Sequence, residues 1–111
     1  MLKDKLMTPE QAVALIKDGD TFTLNGISMT ACAGWILPFI EKSFLETGHP
    51  RALTLCGMGG IGYVRAPGYD YLKSLVHEGL LKKLISVHLA AYQSLNGLIA
   101  ENKIPAYNIS Q

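Results

Sequence analysis

Apolar positions along the chain alternate between two spacings, one helical and one extended. Pro9, Ala12, Val13 and Ile16 follow the i, i+3, i+4, i+7 spacing of one buried helix face. Thr8-Pro9-Glu10-Gln11 precedes that face as a start signal: Thr8 as cap, Pro9 at the first helical position and Gln11 completing a capping box. Asp18-Gly19-Asp20 supplies turn chemistry, and Thr21–Leu24 then reads as a short strand running into Asn25-Gly26. A second helix is predicted between Ala33 and Thr47, with Ile36, Phe39, Ile40 and Phe44 inward and Gly48 as its stop. Pro38 cannot donate to a helical ladder, so this helix is expected to start within a turn of Pro38. A strand Ala52–Cys56 leads into the glycine-rich run Gly57-Met58-Gly59-Gly60-Ile61-Gly62. Beyond it the pattern predicts a helix over Tyr69–Glu78 with Leu72, Leu75 and Val76 inward. A strand follows over Lys83–His88, then a helix over Ser94–Asn102 with Leu95, Leu98 and Ile99 inward, and a strand over Ala106–Ile109.

Strands alternating with helices imply an α/β fold: an open, mainly parallel sheet with helices on its faces. The alternation is left incomplete by 111 residues. The chain is therefore expected to be the first part of a larger α/β enzyme. No internal repeat or linker divides it.

Composition narrows the picture in one respect. Only 17% of residues are charged, whereas soluble domains average about 25%. So few charges predict that some of the surface packs against something else. A net charge of +1 gives no electrostatic case for nucleic acid or an anionic membrane. Two cysteines, Cys32 and Cys56, make no disulfide framework, so a cytoplasmic location is expected. The start of the chain has no long apolar signal segment, and no run approaches a membrane span.

Three features could carry chemistry. Gly57, Gly59 and Gly62 fit G-x-G-x-x-G, which would place backbone against a pyrophosphate at a helix N-terminus. A dinucleotide-binding domain of an oxidoreductase is thus an alternative reading. Against it, Pro67 and Gly68 follow the motif, and no acid lies near the end of the next strand to bind a ribose. A tightly packed loop accounts for these glycines better. Asn25-Gly26 ends the first strand, on the side where open α/β sheets bind ligands, but Asn-Gly is also a common turn pair. His88 ends a strand on the same rim. His49 reads as a surface residue, and His77 as a cation near a helix end. No carboxylate pair for acid–base work and no metal-ligand spacing is evident.

Several segments together resemble the amino-terminal part of a family I CoA-transferase of the acetate/propionate, short-chain acyl type. They are Glu10-Gln11-Ala12-Val13, Ile16-Lys17-Asp18-Gly19-Asp20-Thr21, Phe44-Leu45-Glu46-Thr47-Gly48-His49-Pro50, Leu53-Thr54-Leu55, His77-Glu78-Gly79-Leu80-Leu81-Lys82-Lys83, and Glu101-Asn102-Lys103-Ile104 with Ala106-Tyr107-Asn108. The matches run in order across nearly the whole chain. The resemblance implies an enzyme with two similar α/β halves that moves CoA between short-chain carboxylic acids. A glutamate of the carboxyl-terminal half forms the covalent glutamyl-CoA intermediate. That half is absent from residues 1–111, which would form a partial amino-terminal domain, inactive alone and with no catalytic residue of its own. CoA or acyl-CoA is then a substrate, not a resident cofactor. The expected partners are acyl-CoA, a short-chain carboxylate and the missing half, in a homo-oligomer when complete.

The same resemblance implies substrate or CoA contacts at Asn25, Gly26, Gly57, Gly59, Gly60, His88 and Gln111. Asp18-Gly19 and Gly26 match the family's signature after the first strand. Ile27 stands for its phenylalanine, and Ala31-Cys32-Ala33 replaces a Gly-x-Pro, with Pro38 five residues later. A reshaped substrate loop, or a non-catalytic remnant or interaction domain, would explain that departure.

Overall fold

The computed structural model describes residues 4–24, 26, 33–57 and 70–110. Four strands, β1 (Thr21–Leu24), β2 (Leu53–Gly57), β3 (Leu81–Ser86) and β4 (Ala106–Asn108), form one sheet in that spatial order. Every neighbouring pair is parallel. The α/β class and the parallel sheet expected from the alternation are both present.

Helix α1 (Pro9–Val13) begins as its sequence dictates. Thr8 Oγ accepts from the Gln11 N–H at 3.2 Å, and the Gln11 side chain accepts from the Thr8 N–H at 2.9 Å. A 3₁₀ turn at Gly34–Ile36 then leads into α2 (Leu37–Thr47), in which Pro38 occupies the second position. A proline there has no intrahelical partner to lose, so the helix starts where Pro38 permits. Gly48 closes α2 in the left-handed conformation (φ 75°), its N–H bonding to the Phe44 carbonyl at 2.8 Å. Leu37 and Ile40 are fully buried, while Ile36, Phe39 and Phe44 pack at the margin of the core.

The third predicted helix is shorter and tighter than its pattern suggests. Tyr71–Leu75 is a 3₁₀ turn. Its period of three aligns Leu72 with Leu75, both buried, and carries Val76 a third of a turn away, where it is 37% exposed. His77 therefore does not end a helix. The next strand runs two residues earlier than predicted, and the helix after it is confined to α3 (Asn96–Ala100), entered through 3₁₀ turns at Leu89–Ala91 and Gln93–Leu95. Leu95 and Leu98 face inward as expected, with Ile99 beside them.

One apolar cluster unites these pieces. Phe22, Leu55, Leu84 and Ala106 form a register row on one sheet face, directed at Val13, Leu37, Ile40, Leu72, Leu75, Leu95 and Leu98 from the connections. The helical elements make a single layer: α1 lies against α2, α2 against the Tyr71 turn, and that turn against the Gln93 turn. Right-handed crossovers, the general rule for parallel strands, place the helices between strands taken in sequential order on the same face. The described helices accordingly cover one side of the sheet.

Candidate functional site

All four strands finish on one line. Leu24 is opposite Gly57, Gly57 opposite Ser86, and Ser86 opposite Asn108. The carboxyl ends thus make a level rim, where open α/β sheets bind their ligands. Gly26 lies two residues beyond β1, and His88 two residues beyond β3 rather than within a strand. The structure thereby brings Gly26, Gly57 and His88 to one rim. Asn25, Gly59, Gly60 and Gln111 lie outside the described residues, as does the rest of the Gly57–Gly62 loop.

Gly26 has a φ of 141°, a backbone conformation that side-chain-bearing residues rarely adopt. Gly57 lacks a side chain for a different reason. A Cβ built there would stand 1.6 Å from the Tyr92 hydroxyl oxygen and 2.7 Å from its Cζ. The phenol of Tyr92, itself fully buried, fills that space. Close packing within the chain, not approach of a pyrophosphate, thus accounts for this glycine. Gly34 is the parallel case, with a built Cβ 2.3 Å from Cγ of the Tyr71 ring.

His88 is held by its backbone. The Ser86 hydroxyl, fully buried, accepts the His88 N–H at 3.0 Å, and the Ser86 carbonyl accepts the Ile109 N–H at 2.9 Å. Ser86 therefore ties the turn after β3 to the chain leaving β4, and leaves the His88 imidazole exposed. Nearby in the chain, Ser94 Oγ donates to Asp70 Oδ2 at 2.5 Å, bridging the connections that follow β2 and β3. Asp70 Oδ1 is buried and accepts no hydrogen bond among the described residues. Tyr92, Ser94 and Asp70 carry no motif. Sequence reading had no means to find them, since each acts through a residue more than twenty positions away.

The opposite rim is a set of structural braces. Asp18 receives His49 Nδ1 at 2.8 Å, the Arg51 N–H at 3.0 Å and Arg51 Nε at 3.3 Å. The His49 hydrogen bond above all, joined by the Arg51 N–H and the charges of His49 and Arg51, holds the Asp18 carboxyl below its ordinary value against the opposing effect of desolvation. Gly19 (φ 81°) donates to the Arg51 carbonyl at 2.9 Å, and its own carbonyl accepts Lys82 Nζ at 3.1 Å. The Asp18-Gly19 pair therefore fastens the amino ends of β1 and β2 and does not approach Gly26. His77 Nε2 lies 2.6 Å from Glu41 Oε1, linking α2 to the turn before β3. Lys103 Nζ lies 2.6 Å from Glu78 Oε2, and this contact raises the Lys103 pKa.

Among the described residues, no group of three or more His, Cys, Asp or Glu could hold a metal ion, and no helix is long and apolar enough to cross a membrane.

No protein-family model matches the chain. It is 30% identical over 110 residues to the caffeate CoA-transferase of Acetobacterium woodii, a match covering 96% of this chain and 20% of that protein. Its fold matches two crystal structures of the acyl-CoA transferase YdiF from Escherichia coli O157:H7. Against the thioester complex with CoA the TM-score is 0.81 at 27% identity, over 94% of this chain and 21% of the other. Against the apoenzyme it is 0.82 at 26% identity, over 95% and 20%. The chain spans about one fifth of the length of these relatives. In sequence and in fold, then, this chain corresponds to one part of a CoA-transferase.

Proposed function

We propose that the chain forms one wall of the acyl-CoA site in an enzyme that exchanges CoA between short-chain carboxylic acids. The observation that supports this reading is the agreement of sequence and fold with CoA-transferases along nearly the whole chain. The level rim bearing Gly26 and His88 is its geometric counterpart.

In the proposed reaction a glutamate outside residues 1–111 attacks the thioester carbonyl of acyl-CoA. The carbon–sulfur bond breaks, CoA leaves as thiolate, and an acyl–glutamyl anhydride remains. The thiolate then attacks the glutamyl carbonyl, releasing the first carboxylate and leaving glutamyl-CoA. The acceptor acid takes the CoA by the reverse sequence, which frees the glutamate. This chain contributes binding and orientation. Gly26, with Gly59 and Gly60, offers backbone that a substrate can approach closely. The Asn25 and Gln111 amides and the His88 imidazole offer polar contacts. Gly57 serves the wall indirectly, by seating Tyr92 beneath it. The carboxyl-terminal half supplies the nucleophile, and the complete protein works in the cytoplasm as a homo-oligomer without a resident cofactor.

The test is complementation. The purified chain, alone and together with the unmatched four-fifths of the E. coli acyl-CoA transferase, is assayed for CoA transfer from acetyl-CoA to propionate. The chain alone should give none, because groups acting as one catalytic unit are not replaced by their neighbours. The combination should turn over. Turnover by the chain alone, or none by the pair, would overturn the proposal.

A further inference from the structure

Two tyrosine–glycine pairs lie just beneath the rim. Leu24, Gly57, Ser86 and Asn108 form the last register row of the sheet. Side chains alternate along a strand, so this row faces the same way as Phe22, Leu55, Leu84 and Ala106, toward the helical layer. The Tyr92 phenol fills the place of a Gly57 side chain there, between the sheet and that layer, and is fully buried. At Gly34, in the turn that opens α2, a built Cβ would stand 2.3 Å from Cγ of Tyr71 and 2.7 Å from both its Cδ atoms. The two rings come from the connections after β2 and β3. The Asp70–Ser94 hydrogen bond ties those connections, one residue before Tyr71 and two after Tyr92. Rings, glycines and bridge therefore occupy one level, at the end of the sheet that carries Gly26 and His88.

We infer that Tyr92 and Tyr71 form the floor of the acyl site and restrict it to small acyl groups, with Tyr92 the residue that sets its depth. The inference rests on the proposed CoA transfer and names the part of this chain that selects the acid. An acyl group enters at the rim, between the ends of the strands and the starts of the helices. Its chain runs toward the core past Gly57, and the Tyr92 phenol stands in that path. The barrier is rigid. The Tyr92 ring is enclosed by the core, its hydroxyl end abuts the backbone at Gly57, and the Tyr71 ring is held against the backbone at Gly34. Neither ring yields to a longer chain without displacing main chain in a close-packed interior. An aromatic ring also presents an apolar surface suited to the alkyl end of a short acid.

The test reads acyl preference. The chain and its variants are each combined with the unmatched four-fifths of the E. coli acyl-CoA transferase, and kcat/KM is measured for acetyl-, butyryl- and hexanoyl-CoA with propionate as acceptor. A ratio of kcat/KM values within one preparation does not depend on the amount of folded enzyme, so lost stability cannot imitate a change in preference. Tyr92→Ala should raise the hexanoyl-to-acetyl ratio on the order of tenfold, about the effect of burying two more methylenes. Gly57→Ala added to Tyr92→Ala returns a methyl to the vacated space and should take back part of that gain. Tyr92→Phe keeps the ring and should move the ratio far less. Tyr71→Leu, at a half-buried position, should move it in the same direction as Tyr92→Ala, and decides the matter where Tyr92→Ala does not fold. An unchanged ratio in these two variants, or a Tyr92→Phe shift as large as that of Tyr92→Ala, overturns the assignment while leaving the CoA-transferase reading intact. No turnover by the unsubstituted pair overturns both.

Discussion

Replacing Gly57 by alanine separates a packing role from a substrate-contacting one. The new methyl carbon would lie 1.6 Å from Tyr92 Oη, 2.7 Å from Cζ and 3.2 Å from Cε1. Tyr92 cannot retreat freely, because it is fully buried among the core residues. Either the end of β2 or the phenol must shift. Overpacking of this kind costs about 1–3 kcal/mol, and a rigid ring against backbone belongs near the upper end. For a chain of 111 residues a loss of about 2.5 kcal/mol lowers Tm by roughly 10 °C. Urea denaturation followed by far-UV circular dichroism measures it, with an unchanged slope showing that the denatured state is not the cause. The partner is identified by a double-mutant cycle with Tyr92→Phe. Removing Oη abolishes the closest contact but leaves Cζ at 2.7 Å, so Gly57→Ala should be less harmful in that background, by about 1 kcal/mol. Strictly additive losses, or a Gly57→Ala protein within about 0.5 kcal/mol of the parent, would refute the packing account. The second outcome would return Gly57 to the substrate-binding set.

Other glycines should behave differently for stated reasons. Gly97 lies within α3 with nothing within 4 Å of a built Cβ, so Gly97→Ala should stabilise by roughly 0.5–1 kcal/mol in the same urea experiment. Gly48 also has open space, but its φ of 75° makes Gly48→Ala cost about 1–2 kcal/mol. The Asp18 carboxyl titrates lower in the folded protein than in the unfolded chain, so its contribution to stability is full above pH 3.8 and is lost as pH falls through the folded value. Asp18→Asn should accordingly flatten the acid limb of a stability–pH curve and leave its alkaline limb unchanged. Lys103 has the opposite sign: its raised pKa adds stability that is full below 10.5 and lost at higher pH, and Glu78→Gln should reduce that alkaline dependence, Glu101 at 3.5 Å retaining the rest.

Much of this fold was legible from local chemistry. The capping box at Thr8 and Gln11, the stop at Gly48 and the restriction at Pro38 each act within one turn of backbone, so sequence carried them in full. The alternation of spacings gave the parallel α/β class, because crossover geometry leaves few other arrangements. Resemblance in ordered segments pointed to the CoA-transferases, although no single motif did.

What sequence by itself determined, then, was the order of extended and helical segments, the start of α1, the two ends of α2, and the family they resemble. Tertiary structure decided the rest. Leu72, Leu75 and Val76 fit an α-helical stripe and a 3₁₀ turn almost equally well, and only packing on the core selects the tighter period. Gly57 belongs to a glycine motif on paper, but its meaning is set by Tyr92, thirty-five positions later. Asp18 looked like part of a substrate signature and proved to clamp His49 and Arg51 at the far end of the sheet. Each of these depends on side chains distant in sequence meeting at a few ångströms, and local propensity contains no term for that.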